Sequence, residues 1–400
     1  MQQQFYIFYY IFNCQIFLCR IFFCLLLLLP NHSMAKNIFN KQLNNGDYIY
    51  LSSDGFINFS ATTQQHPNHQ LQTGIDGSAW LHLQKTNSNN KFGFNLKIES
   101  NQQHSPLLII DQAYISYKNH LGTFELGNYF PANQQLKQGP SKITRGAGGI
   151  NGKYLQYIKT NSNDNAFILL PQSPIAHGSE AMNFQQNNFV RSIKDNSFDR
   201  NEDANKISYY TNKNNNLQAG FSYTANSKKS GLTNSNINKN NTATIANIIS
   251  IGLAYDQDFD NLNIKLATTG EKGKVLNRQQ MHDLSSYDIG GVISYFGIKI
   301  AKSYGSWGKS LQSTKSGKYN SNAIAYNIGP FAASISNFNS NFANNKYYAT
   351  SLGLDYKIKK NLLSYIEYTN FGFKISKSQN SITSAKDHGF VVLTGILFNF

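Results

Sequence analysis

The sequence predicts an all-β chain: sixteen antiparallel strands closed into one barrel that spans a membrane. Three observations predict it. Apolar residues recur with period two in segment after segment, tight joints alternate with long polar loops, and the composition is polar on average yet poor in charge and rich in aromatics. Of the 400 residues, 40% are hydrophobic and the mean hydropathy is -0.42, which excludes a bundle of transmembrane helices. Aromatic residues reach 14% and charged residues only 14%, the latter about half the share of a soluble domain. Strands with one face to lipid and the other to a watery lumen have this composition.

The first 35 residues stand apart. Arg20 precedes an apolar run from Ile21 to Leu29, followed by Pro30 and by Ser33, Met34 and Ala35. That order is expected of a secretory signal cut after Ala35; a membrane anchor is the other reading of so apolar a start. Cys14, Cys19 and Cys24 all lie here, so the mature chain, 36–400, is expected to have no disulfides. Only Arg20 is lost and no acid, so the net charge falls from +15 to +14.

Beyond this segment alternation runs to the last residue, with no helical period of any length. In "KFGFNLKIES" the residues Phe92, Phe94, Leu96 and Ile98 share one face. In "NLQAGFSY" the outward set is Leu217, Ala219, Phe221 and Tyr223; in "ATSLGLDY" it is Thr350, Leu352, Leu354 and Tyr356. Strands are expected near 47–60, 70–86, 91–101, 106–118, 120–128, 205–212, 216–225, 244–256, 261–270, 284–296, 297–306, 319–329, 330–338, 346–357, 361–374 and 386–400. The last, "HGFVVLTGILFNF", sets Phe390, Val392, Thr394, Ile396, Phe398 and Phe400 on one face, and by itself suits a soluble sheet equally well.

The connections decide between those readings. Tight joints at 87–90, 118–122, 212–216, 256–261, 296–297, 329–330 and 357–361 occupy every second link. Longer polar loops, above all 129–204, fill most of the others. Sorting short turns to one end and long loops to the other is the layout of an outer-membrane barrel. In lipid the last strand cannot keep an open edge and must pair with the first.

The segments "IIDQAYISYKNHLGTFELGNYF" (109–130), "GAGGINGKYLQYI" (146–158) and "NKISYYTNKNNNLQAGFSYTAN" (205–226), with the terminal strand ending in Phe400, resemble the Gram-negative trimeric porins, in particular their alphaproteobacterial general-diffusion branch. The resemblance implies a homotrimer of 16-stranded barrels, a third loop folded inward to narrow the pore, and passage of ions and small hydrophilic solutes. It also implies that the terminal strand, with Phe398 and Phe400, is an assembly signal read by the barrel-insertion machinery. Relatives commonly carry a pore-facing arginine after the glycine that closes the fifth strand; here Asn128 follows Gly127.

A pore works by steric exclusion and by the charges on its wall. The expected constriction is the loop after Tyr129, which offers Lys137, Lys142, Arg145 and Lys153, with no Asp or Glu between Leu126 and Asn163. Folded inward, these give a weak anion preference; left on a solvated surface, they face lipopolysaccharide phosphates instead. Parity places Asp76, Lys97, Glu99, Lys206, Lys265, Asp288, Asp355 and Glu367 toward the lumen. Their mixed signs argue against a purely anion-specific channel. His66 and His69 form the only close histidine pair and come with no metal-binding pattern, and no Ser/His/Asp grouping stands out, so neither metal, cofactor nor enzyme is expected. "GAGGING" lacks the Lys and Ser/Thr of a phosphate loop, and lysines spread through loops do not suit nucleic acid. The competing class is an adhesin that uses the barrel to display loops such as 226–243.

Overall fold

The structure, a computed structural model, describes residues 36–43, 47–65, 69–87, 90–101, 105–151, 154, 166–169, 181–184, 204–226, 245–276, 282–310, 316–342, 345–374 and 386–400. The expected signal segment, Lys153, and most of 155–203 and 226–243 lie outside them.

The strands are β1 (Lys36–Gln42), β2 (Tyr48–Gln65), β3 (His69–Thr86), β4 (Lys91–Asn101), β5 (Ser105–Lys118), β6 (Gly122–Asn128), β7 (Ala166–Leu169), β8 (Ala181–Phe184), β9 (Asn205–Thr211), β10 (Leu217–Asn226), β11 (Ile245–Phe259), β12 (Leu262–Val275), β13 (Leu284–Tyr295), β14 (Ile298–Gly308), β15 (Gly317–Ile328), β16 (Phe331–Phe342), β17 (Asn345–Lys359), β18 (Leu362–Lys374) and β19 (Lys386–Asn399). β2 to β6 and β9 to β19 pair antiparallel in chain order, and β19 returns to β2 to close a barrel of sixteen strands. β7 and β8 pair as a separate two-stranded sheet, with β7 against β16 and β17.

Strand side chains alternate faces, and here apolar and small polar sets divide cleanly. Leu352 and Leu354 are 49% and 54% exposed, while Ser351 between the barrel's inner residues is 1% exposed. Ile249, Ile251 and Leu253 point out where Ser250 and Gly252 point in. An outward row of exposed Leu, Ile, Phe and Tyr is unstable in water and suited to acyl chains. The outward face changes character on one side: Asn320, Asn322, Asn337 and Asn339 follow the apolar rows of β15 and β16. They hydrogen-bond one another, Asn322 Nδ2 to Asn320 Oδ1 at 3.2 Å and Asn339 Nδ2 to Asn337 Oδ1 at 2.6 Å.

The expected strands recur, several with later ends at the long-loop side. β2 runs to Gln65, β12 to Val275 and β16 to Phe342, because pairing continues where both faces are wet and no alternation marks it. At the opposite end the chain turns abruptly, with Asn215, Asn216, Asp260 and Phe296 at positive φ beside Gly297 and Gly329.

β1 was not foreseen. It lies on the same edge of β2 as β19, pairing with Tyr48–Ser53 while β19 takes Phe56–Gln64. Between them Phe400 and Gly55 exchange both backbone hydrogen bonds, 3.1 and 3.2 Å. The edge of β2 is therefore covered along nearly its whole length.

Candidate functional site

After β6 the chain does not return along the wall but enters the barrel, through α1 (Ala132–Gln135) and two single 3₁₀ turns at Pro140–Lys142 and Gly149–Asn151. The wall receives it with residues small enough to let backbone approach. A Cβ added at Gly353 would lie 2.1 Å from the Arg145 carbonyl oxygen, and one at Gly290 2.1 Å from that of Gln138. Gly220 and Gly252 cradle Leu136, which packs with Ala132 against Tyr210. Further on, Ile143 packs against Val292, Ala301, Ala323 and Ala325. These contacts sink an apolar stripe of the loop into an otherwise wet wall.

Polar tethers fix the register. Ala132 N donates to Ser222 Oγ (2.8 Å) and Asn133 Nδ2 to Glu271 Oε2 (2.7 Å). Arg145 N donates to Ser334 Oγ (2.8 Å), Gly146 N to Asp355 Oδ1 (2.7 Å) and Gly149 N to Glu367 Oε2 (2.7 Å). Gly146, Gly148 and Gly149 sit at φ +83°, +106° and +59°, so the backbone can aim successive N–H groups at the two carboxylates. That is an anion-holding concavity built from loop amides, with the wall's own acids as its anions. Tyr154, fully buried, meets the Tyr347 hydroxyl at 2.9 Å beyond the last turn.

The loop's cations divide by environment. Lys137 donates to Tyr319 Oη (2.8 Å) and lies 3.5 Å from Asp288, which is 1% exposed and also receives the Tyr319 hydroxyl. Burial lowers the pKa of Lys137, and Asp288 opposes that shift. Lys142 is exposed; partial desolvation of its ammonium lowers its pKa, helped by repulsion from Lys137 and Lys265. Arg145 Nη2 donates to Asn327 Oδ1 at 3.1 Å.

Of the charges assigned to the lumen by parity, Asp355 and Glu367 hold the loop as described. Lys265 lies 3.4 Å from Asp256, which also takes Lys213 at 2.9 Å near the tight turns. Lys206, 4% exposed, donates to the carbonyls of Ala204 (2.7 Å) and Tyr129 at the loop's root. Lys97 stands 5.8 Å above the Trp80 ring. Asp76 and Glu99 occupy positions opposite Asn58 and Ser78, and their side chains are outside the described residues. Asn128 is buried at the end of β6. Phe398 and Phe400 stack with centroids 6.4 Å apart at the seam.

Sequence reading did not single out the receiving side: Ser222, Glu271, Ser334 and Tyr319, or the glycines facing the loop. Nor did it notice the rings on the other wall. Trp80 stacks on His82 (5.5 Å) and meets Tyr114 and Tyr129 edge-on (6.4 and 6.2 Å), and Tyr114 and Tyr129 stack at 4.3 Å. The inward parity of Trp80 and His82 on β3 and of Tyr114 on β5 was the available signal.

A closed sixteen-stranded barrel with an apolar outer face, a polar inner face and a loop tied across its interior defines a membrane pore narrowed from within. The chain belongs to the Gram-negative porin family, whose model matches residues 47–376. It is similar to an uncharacterized protein of Rickettsia bellii, 30% identical over 319 residues covering 66% of this chain and 70% of that one. A second uncharacterized relative, from Rickettsia prowazekii, is 27% identical over 328 residues, covering 66% and 70%. Among solved structures, a Salmonella typhi OmpF complex with daunomycin superposes with a TM-score of 0.56 at 11% identity, covering 90% of this chain and all of that one. A Rhodopseudomonas blastica porin triple mutant gives 0.52 at 12% identity, covering 88% and 100%; both share the fold. The protein is thus a channel of the bacterial outer membrane for passive diffusion.

Proposed function

We propose that the chain works as a homotrimeric general-diffusion pore with a weak preference for anions, and that the loop from Tyr129 to Tyr154 is its constriction. The observation that carries this reading is the division of charge across the tethered loop. Its wall acids, Asp355 and Glu367, turn their oxygens to loop amides, and Asp288 is taken by Lys137 and Tyr319. Lys142 and Arg145 stand on the loop within the electrostatic reach of Lys265 and Lys299 on the wall. Cations left facing water beside engaged acids bias the pore toward anions. Lys153, outside the described residues, is taken as a further cation of the same constriction.

Assembly follows the same reading: the signal 1–35 is removed after Ala35, the strand ending in Phe398 and Phe400 is read by the barrel-insertion machinery, and outward lysines meet lipopolysaccharide phosphates. Purified protein in a planar bilayer tests the pore. The expected result is stepwise current in groups of three with a reversal potential shifted to the anion side in a KCl gradient. A clear cation preference sinks the anion assignment, and an electrically silent barrel favours a loop-displaying surface protein.

A further inference from the structure

Toward the tight-turn end, between β2, β3, β4, β19 and the end of β17, lies a cavity of about 740 Å³. That is within the ~300–1,000 Å³ of small-ligand sites. Its lining has two halves. Trp80 and Phe130 supply ring faces, and Lys97, Lys357 and Lys360 supply cations. Asp54, the one Asp or Glu among the described lining residues, lies 3.5 Å from the imidazole of His82, which donates its Nδ1 proton to Asn95 Oδ1 (2.7 Å).

The ring half does not end at the cavity. Tyr129 contacts both Phe130 (5.2 Å) and Trp80, and Tyr114 stacks on Tyr129, so the aromatic surface is a continuous shelf, stepped where Trp80 meets the tyrosines edge-on, whose members are all partly exposed. A scattered exposed ring on a pore wall needs no explanation. A shelf of rings with Lys97 over one of them, exposed Lys357 near the end of β17 and exposed Lys360 on the turn that follows is a different matter. Aromatic faces hold planar rings by stacking with little regard to their substituents, while ammonium groups on flexible stems hold phosphate as point charges.

We infer that this cavity is a binding subsite within the pore for an anionic solute bearing a flat ring, the chemistry of a nucleoside monophosphate. The inference rests on the pore reading above and narrows its solute class. Such a solute is drawn in by the lysines, lies on the shelf, and is released by thermal motion, so the site raises its flux at low concentration and saturates at high concentration.

The test is block of single-channel KCl current by adenosine 5′-monophosphate, with adenosine and inorganic phosphate as the separate halves. Adenosine monophosphate is expected to interrupt the current at a concentration about tenfold below inorganic phosphate, the size of one base–aromatic stack, and several-fold below adenosine, which lacks the phosphate the lysines hold. Trp80→Ala is expected to weaken that block about tenfold. Because Trp80→Ala could fail to assemble, Lys357→Ala with Lys360→Ala, near the end of β17 and on the turn after it, provides the second arm. It is expected to raise the blocking concentration several-fold while leaving block by adenosine unchanged. Conductance with equal block by adenosine monophosphate and phosphate overturns the subsite and leaves the pore standing; absence of any current overturns both.

Discussion

Removing the two carboxylates that hold the loop, Asp355→Ala with Glu367→Ala, should release its glycine-rich tip into the pore. Gly146 N and Gly149 N each donate to one of these acids at 2.7 Å, and Glu367 is 1% exposed. Hydrogen bonds to charged groups contribute about 1.5–3 kcal/mol each, and a buried N–H left without an acceptor costs about as much. Losing both tethers therefore shifts the docked state by roughly 4 kcal/mol, a change on the order of a thousandfold in the ratio of docked to undocked loop. The carboxamide pair, Asp355→Asn with Glu367→Gln, keeps an acceptor oxygen at each position and loses only the charge assistance, about half the effect. Single-channel recording at fixed voltage reads this directly as raised mean conductance and open-channel noise, larger for alanine than for carboxamide. Heat-modifiable migration on gels verifies that the barrel has closed. Alanine-variant channels with the conductance and noise of the unaltered protein would falsify the tethering role of these acids.

Gly353→Ala should displace the loop by steric means alone, since its Cβ would lie 2.1 Å from the Arg145 oxygen and 2.4 Å from its carbonyl carbon; a conductance matching the unaltered channel counts against the close approach described above. Deleting Phe400 removes two backbone hydrogen bonds to Gly55, together about 2 kcal/mol, at the seam where nothing else replaces them. Assembled protein in the outer membrane should fall steeply, and normal yields of heat-modifiable barrels contradict this. Lys142, its pKa lowered chiefly by desolvation, should lose its proton at a lower pH than an ordinary lysine. Raising pH through that range moves the reversal potential away from anions, and Lys142→Ala should abolish that early part of the titration.

Strand facing was legible wherever a row of large apolar residues opposes small polar ones. Leu352 and Leu354 against Ser351 and Gly353 declare both the strand and its lipid side, because a one-residue slip would exchange the faces entirely. β1 was not legible: "KNIFNKQ" has no period, and its place comes from the free edge of β2. The loop's inward path was available from resemblance, but its partners were not. Gly149 and Glu367 are 218 positions apart, and Gly146 and Asp355 are 209 apart. Parity turns Glu367 to the lumen without saying whether it will meet water, a lysine or an amide. Small inward residues such as Gly290, Ala301 and Ala323 were the one local trace of the loop, since a wall facing only water has no need to be recessed.

The pairing of β19 with β2 joins residues such as Asn399 and Phe56 from opposite ends of the strand series, whereas every other barrel pair joins strands consecutive in that series. Loop-closure entropy grows only logarithmically, so this seam is disfavoured against a ten-residue hairpin by roughly 3 kcal/mol. Until it forms, the chain is an open sheet with two unpaired edges, at β2 and at β18 or β19, and each edge can accept a strand from another molecule as readily as its own. Self-closure is first order and mispairing is second order in chain concentration. The seam thus makes yield depend on crowding: each doubling of unclosed chains favours tangles over pores, and any factor that holds the two edges together shifts the outcome back.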